Sequence, residues 1–453
     1  MKHKIICGHV LDVLKTLPEE SIDTVVTSPP YWGLRSYLPD DHPDKQKEIG
    51  LEPTLDLYIN HLIEVMSELK RILKKTGVIF WNHADSYGGS GGASGKYPEA
   101  HPEGNVGGRF GIDKRKISIF PSKPPALHLT PKCMLLQNYR FILRCVDELG
   151  LILRNVIIWY KPNHMPSSVK DRFTSSYEPV FMLVKNRNYW FDLDAVRLPH
   201  KESSRKRVLR AVSNKHKYLN HPEYSGGGGI NKPRPNRRKL SIKFSELFDK
   251  PDREYHREQN MAISQCAEGD YLVVNLHPLG ANPGDVWTIP TQPFPEAHFA
   301  TFGEKLVEPM IKAGCPRWIC KKCGKLRERI VKVKINEDRV PDKWRKTYRG
   351  KVELPNSPRE KSISEMYKEV LSKERHTIGW TDCGCNVGWE AGLVLDPFGG
   401  SGTVGIVAEK LGRNSILIDL NKEYCEMAYR RIKKVAAQTK LGEEPSIIER
   451  VGF

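Results

Sequence analysis

No apolar run in these 453 residues approaches the ~18 that a membrane-spanning helix needs, so no membrane partnership is expected. Basic residues open the chain at Lys2, His3 and Lys4, but no sustained apolar stretch follows them. A secretory leader is therefore not expected, and the protein is expected to be cytoplasmic. No internal repeat recurs, so the fold is not built by repetition. Acidic charge is short: 54 Asp and Glu stand against 72 Lys and Arg, a formal charge of +18, which points to a polyanionic partner. What is present, 39% hydrophobic and 28% charged residues, excludes both disordered and membrane-embedded classes. The length predicts two or three compact units.

The positive charge is localised. From Arg197 to Arg257, 17 basic residues face 6 acidic ones, and from Lys321 to Arg375, 18 face 9. These stretches hold +20 together, which leaves the rest of the chain at −2. Two basic inserts on a nearly neutral core favour nucleic acid over an ordinary solvated face.

Around these inserts the pattern alternates strand and helix. A helix is expected over Asp12 to Leu17, a strand over Ile22 to Thr27, and a loop at Ser28-Pro29-Pro30-Tyr31-Trp32, where the prolines stop the strand. Leu55, Ile59, Leu62, Ile63, Met66, Leu69 and Leu73 have helical spacing, with Gly77 closing that helix before the strand Val78–Trp81. Residues 86–125, rich in Gly and Pro, read as a mobile loop without a core. A helix over Met134 to Leu149 and strands over Leu151 to Tyr160 and Pro179 to Lys185 follow. Near the end come a strand at Leu393–Leu395, a glycine-rich turn, a helix from Thr403 to Leu411, a strand ending at Asp419, and a helix beginning near Glu423. This is an α/β pattern with a doubly wound, mostly parallel sheet.

Gly400, Gly402 and Gly405 form G-x-G-x-x-G between a strand and a helix, with Asp419 placed to accept hydrogen bonds from a ribose. Any nucleoside-bearing cofactor suits this arrangement. The residues after Asp419 are too few for the rest of such a sheet, so the missing strands are expected from the N-terminal half. That order is permuted, with the cofactor loop last and the Ser-Pro-Pro-Tyr loop first, and it argues against a dehydrogenase.

With these motifs in this order, the chain resembles the amino-methylating DNA methyltransferases of the β arrangement. Thr27-Ser28-Pro29-Pro30-Tyr31-Trp32 is similar to that family's catalytic loop, and Asp396-Pro397-Phe398-Gly399-Gly400-Ser401-Gly402-Thr403 to its cofactor loop. Trp159 to Asn163 with Pro166, Arg172 and Tyr177-Glu178-Pro179 resembles the stretch before its target-recognition region. Asn282 to Trp287 and His298 to Phe302 resemble the stretch after it. The chain departs from the family in having His9 where an acid is common, with Asp12 three residues on, and Gly303 where Pro is common.

The resemblance implies an S-adenosylmethionine-dependent enzyme acting on double-stranded DNA. Its catalytic residues would be Ser28, Pro29, Pro30 and Tyr31, and its cofactor residues Asp12, His298, Phe302, Asp396, Phe398, Gly400, Gly402, Thr403 and Asp419. Ser at the first loop position favours cytosine-N4 over adenine-N6 as the target. A DNA-binding protein with a vestigial loop is the alternative of another class. A cognate restriction endonuclease is a partner the resemblance allows, and both monomer and homodimer stay open. The expected organisation is a catalytic half (1–194), a target-recognition insert (195–275), a core segment (276–314), a zinc-binding insert (315–390) and a cofactor half (391–453).

Ten cysteines without a leader argue against a disulfide scaffold. Cys320-Lys321-Lys322-Cys323-Gly324 is a knuckle that turns two thiolates to one metal, and Cys383-Gly384-Cys385 supplies a second pair. Four thiolates suit structural zinc, with Cys315 able to replace one ligand. Cys7, Cys133, Cys145, Cys266 and Cys425 are expected in the core.

Overall fold

The structure, a computed structural model, describes residues 1–33, 36–39, 41–88, 132–167, 169–201, 203–204, 280–292, 302–335, 373–438 and 446–452. The expected loop at 86–125 and insert at 195–275 lie largely outside these residues, as do His298 and Cys266.

Two compact units are present. The first comprises Met1–Val196, Gly284–Glu328 and Thr381–Phe453; the second comprises Arg197–Pro283 and Arg329–Trp380. The cysteine segments fall within the first unit. Gly392 N donates to Pro316 O at 3.1 Å, and the Arg413 guanidinium donates to Cys315 O.

In chain order the first unit has β1 (Lys2–Cys7), α1 (Val10–Thr16), β2 (Ile22–Thr27), α2 (Leu55–Ile72), β3 (Leu73–Asn82), α3 (Gln137–Asp147), β4 (Ile152–Tyr160), β5 (Tyr177–Val184) and β6 (Val286–Thr288). Next come α4 (Glu304–Gly314) and β7 (Ile319–Cys320). The second unit contributes an antiparallel hairpin of β8 (Arg329–Ile335) and β9 (Lys373–Trp380). The first unit resumes with β10 (Trp389–Glu390), β11 (Leu393–Asp396), α5 (Thr403–Leu411), β12 (Asn414–Asp419), α6 (Lys422–Ala436) and β13 (Ile447–Val451).

The main sheet has the order β13-β1-β12-β11-β2-β3-β5-β4-β6. All neighbours pair parallel except β3 with β5 and β5 with β4. The C-terminal strands β11 and β12 therefore lie between β1 and β2, the permuted order expected. One face is covered by α1, α2 and α3 over a core containing Leu14, Leu62, Met66, Ile79 and Phe141. The other is covered by α4, α5 and α6 over Val26, Phe80, Val307, Ile406 and Leu417. Buried residues at Leu55, Ile59, Leu62, Ile63, Met66 and Leu69 match the helical spacing, and Thr54 Oγ1 caps α2 by accepting from Leu57 N at 3.2 Å.

Gly77 does not close α2. The helix ends at Ile72, and Gly77 lies inside β3, where pairing with β2 shifts register between Ile22 and Thr24. A Cβ at Gly77 would meet Leu73 Cδ1 at 2.6 Å, so the position demands close approach rather than a helix stop. No helix among the described residues is long and apolar enough to cross a membrane.

Candidate active site

Ligands of open α/β sheets bind at the carboxyl ends of the strands, near the point where strand order reverses. Here β2 runs into Ser28-Pro29-Pro30-Tyr31 and its parallel neighbour β11 runs into the glycine loop, in the register Val394 to Thr24 and Leu395 to Val25. The two loops, nearly 370 residues apart in sequence, are joined by one buried hydrogen bond. Thr27 Oγ1 donates to Asp396 Oδ1 at 2.7 Å, and Phe398 N donates to the same oxygen at 3.1 Å. Burial pushes the Asp396 carboxyl up to about 7 against these two bonds.

Asp419, at the end of β12, is tied to the same loop. Its Oδ2 accepts from Gly400 N and its Oδ1 from Asn421 N, both at 2.8 Å, while burial raises it to about 6. Asp419 therefore holds the glycine loop in place. The glycines are not all open to a ligand. Gly402 has φ +81° and a Cβ there would meet Ala428 Cβ at 2.7 Å; one at Gly405 would meet Ile432 Cδ1 at 2.4 Å. Both positions serve the packing of α5 on α6. Thr403 is buried at the start of α5, and Phe398 is edge-on to Trp81 at 6.3 Å.

On the other side, Ser28 Oγ lies 3.4 Å from both Tyr31 Oη and Asn82 Nδ2. Tyr31 Oη donates to Glu178 Oε2 at 3.2 Å, and Asn82 Nδ2 donates to that oxygen at 3.1 Å. Glu178 is also paired with Lys161. Desolvation and the Glu178 charge hold the Tyr31 phenol well above its ordinary range, so it stays a hydrogen-bond donor. One face of its ring is taken by His83, at 5.3 Å and 27°.

A second chain of bonds stiffens the prolines. Tyr58 Oη donates to Pro30 O at 2.7 Å and lies 3.1 Å from His83 Nε2. Since Tyr58 has one proton and gives it to Pro30, His83 Nε2 carries the hydrogen and Nδ1 is a bare acceptor. Burial lowers His83 to about 3, so it is neutral. His83 Nδ1 and Asn82 Oδ1 are buried with no hydrogen-bond partner, which costs about 1–3 kcal/mol each. Such deficits collect at functional sites.

Ser28, Pro29, Pro30, Tyr31, Asp396, Phe398, Gly400 and Asp419 thus all lie on the two joined loops or the strand ends beside them. Trp32 is a core aromatic whose Nε1 donates to Glu52 O. Asp12 stands in the first turn of α1 with a 68% exposed side chain, 3.7 Å from His9 Nδ1, and Phe302 is half-buried against the second core. Sequence reasoning passed over Asn82, His83, Tyr58 and Lys161. Asn82-His83 could have been found as a polar pair directly after the fully buried run from Val78 to Trp81.

The sulfur atoms of Cys320, Cys323, Cys383 and Cys385 all lie within 4.8 Å of one another. A zinc tetrahedron with 2.3 Å bonds needs sulfurs about 3.8 Å apart, so the set fits. Gly384, at φ +74°, lets the second pair turn back on one point. Backbone N–H groups of Cys323 and Lys322 hold Cys320 down at about 6, while desolvation and the neighbouring thiols push Cys383 up and those thiols push Cys385 up to about 12, the crowding of sulfurs that a bound cation would relieve. Cys315 does not join them: it is fully buried, burial drives its thiol up, and its Sγ donates to Pro316 O. Cys133 is exposed rather than in the core.

The chain matches a family described as DNA methylase, which groups N6 and N4 methyltransferases, over residues 22–318 and 387–430. It is 32% identical over 367 residues to the type II methyltransferase M.SfiI of Streptomyces fimbriatus, covering 68% of this chain and 79% of that one. With the type II methyltransferase M.Cfr9I of Citrobacter freundii it shares 27% identity over 444 residues, 97% of this chain and 88% of the other. Among solved structures, PvuII DNA methyltransferase (cytosine-N4-specific) is similar over 98% of this chain and 89% of its own, at 15% identity and a TM-score of 0.43.

Proposed function

The chain is a member of this DNA methylase family, and from that premise we propose that it transfers a methyl group from S-adenosylmethionine to the exocyclic amine of a base flipped out of duplex DNA, cytosine N4 in preference to adenine N6. The observation that carries this is the Thr27–Asp396 hydrogen bond. It holds an acceptor-bearing loop and a glycine loop with the carboxyl groups of Asp396 and Asp419 at the carboxyl end of the sheet.

Bound S-adenosylmethionine supplies an electrophilic methyl on a sulfonium. Asp396, Phe398, Gly400, Thr403 and Asp419 would hold it, and the fit is chemical: two carboxylates strained by burial gain from a cationic ligand. An exocyclic amine is a poor nucleophile because its lone pair is delocalised into the ring. Ser28 Oγ and the Pro29 carbonyl can accept its two N–H groups and favour the pyramidal nitrogen, a preorganised stabilisation of the transition state. Asn82 Nδ2 donates to one lone pair of Ser28 Oγ and leaves the other to accept from the target amine. Pro30 O is already taken by Tyr58, so Pro30 acts by stiffening the loop. The free face of Tyr31 would stack on the flipped base.

Ser28 at the first loop position supports cytosine. The intact set of Ser28, both prolines, Asp396 and Asp419 speaks against a vestigial DNA-binding protein. The basic stretches would hold phosphates, and the type II relatives support a cognate restriction endonuclease in the cell. DNA from cells expressing the chain, digested to nucleosides and read by mass spectrometry, is expected to contain N4-methylcytosine. N6-methyladenine would move the target to adenine, and no modified amine would overturn the enzyme reading.

Structural zinc at Cys320, Cys323, Cys383 and Cys385 belongs to the same proposal, on the strength of their mutual distances. Protein purified without chelator is expected to carry about one zinc per chain by elemental analysis, lost in Cys320→Ser. A metal content near zero would remove the site.

A further inference from the structure

The loop from Lys161 to Ser176, between β4 and β5, is pinned at its base and exposed at its tip. Lys161 N donates to Ser176 O at 2.8 Å and closes it. Asn163 exchanges two hydrogen bonds with Thr291, at 3.1 and 2.8 Å, and His164 N donates to Lys161 O. On this base Phe173 is 97% exposed and Met165 86% exposed. Single exposed apolar residues need no explanation, but an almost wholly exposed phenylalanine and methionine on one anchored loop do.

The surroundings say what meets them. Lys170 and Arg172 are exposed beside Phe173, the Arg172 guanidinium lying 3.9 Å over the Tyr87 ring and donating to Phe173 O, while Asp171 is paired with Lys132 at 2.6 Å. The loop thus offers an aromatic ring between cations, which suits a nucleic acid rather than an apolar protein surface. Its two ends lead into the active site: Lys161 pairs with Glu178, which accepts from Tyr31 and Asn82. Glu178 is five positions beyond Phe173, at most about 18 Å of chain. A duplex delivering a base to Tyr31 therefore lies within reach of this tip.

Resting on the methyltransferase reading, we propose that Phe173 enters the duplex and fills the stack at the place vacated by the flipped base, with Lys170 and Arg172 on the flanking phosphates. Flipping a base breaks stacking on both of its faces, and proteins that unstack DNA insert apolar wedges of this kind. Phe173 supplies a replacement surface, which shifts the flipping equilibrium toward the extruded state.

The test compares wild type with Phe173→Ala on short duplexes carrying the site that wild type modifies in genomic DNA. One duplex is fully paired; in the other the target base is mispaired and already unstacked. On the paired duplex kcat/KM is expected to fall about 10- to 100-fold. On the mispaired duplex the loss shrinks to within about 3-fold, and Phe173→Trp recovers most of the paired rate. S-adenosylmethionine affinity and the melting temperature stay at wild-type values, since the side chain packs on nothing. Equal losses on both duplexes, or none on the paired one, would overturn the wedge. Wild-type protein that modified neither duplex would bring down the methyltransferase reading, and this inference with it.

Discussion

Ser28→Ala is expected to lower kcat by about 10²- to 10³-fold while S-adenosylmethionine affinity stays within about twofold of wild type. The hydroxyl is asked to act only where charge develops on the target nitrogen, so its removal falls on the transition state. Its contacts in the free protein are weak: both lie at 3.4 Å, the outer edge of hydrogen bonding. Stability should therefore change by less than about 1 kcal/mol. Single-turnover kinetics with calorimetric measurement of cofactor binding separates these effects. Parallel loss of both would make Ser28 a structural residue of the loop.

Asp396→Asn is expected to weaken S-adenosylmethionine binding about 10- to 150-fold, the range for removing the charge from a buried hydrogen-bonded pair. Asn keeps one oxygen for Thr27 Oγ1 and Phe398 N, so the joint between the loops survives. The same variant carries a signature in pH. Burial raises the folded-state pKa of Asp396 from 3.8 to about 7. The stability contributed by its protonated form is then fully present below about pH 4 and is lost as pH rises through 7. Asn cannot ionise, so unfolding curves should show Asp396→Asn gaining on wild type between pH 4 and 8, by on the order of 4 kcal/mol at most. Cofactor binding to wild type near pH 6 should release protons, because a cation draws the carboxyl back to its ionised form. Equal affinity in the two proteins would place the cofactor's charge elsewhere.

Local pattern made much of this legible. The β11, glycine loop and α5 unit was readable because a short β-branched strand, a glycine turn and an apolar helix follow one another without interruption. That β11 and β12 join strands of the N-terminal half followed from needing strands the C-terminal part lacks; the pairing of β11 with β2 did not. The network around Ser28 was not readable, because its members come from different strands: Asn82 ends β3, Glu178 opens β5, and Lys161 follows β4. Antiparallel pairing of β5 brings them together, and no local signal announces that pairing. One glycine reading failed for a related reason, and another acquired a packing cause beside the expected one. Gly402 and Gly405 match a cofactor fingerprint, yet Ala428 and Ile432 of α6 account for their lack of a side chain. Gly77 reads as a helix stop until Leu73 is seen packed over it. Only the folded positions of the sulfurs separate Cys315 from the four clustered thiols; its spacing from Cys320 does not.

The account rests on the two loops forming one site for methyl transfer to DNA. Its most direct test is incubation of the purified chain with duplex DNA and methyl-labelled S-adenosylmethionine, followed by counting label in the DNA. Label is expected in an exocyclic amine of the wild-type product and is expected to accumulate about 10²- to 10³-fold more slowly with Ser28→Ala. No label in any duplex from a folded, cofactor-binding wild-type protein would contradict the account.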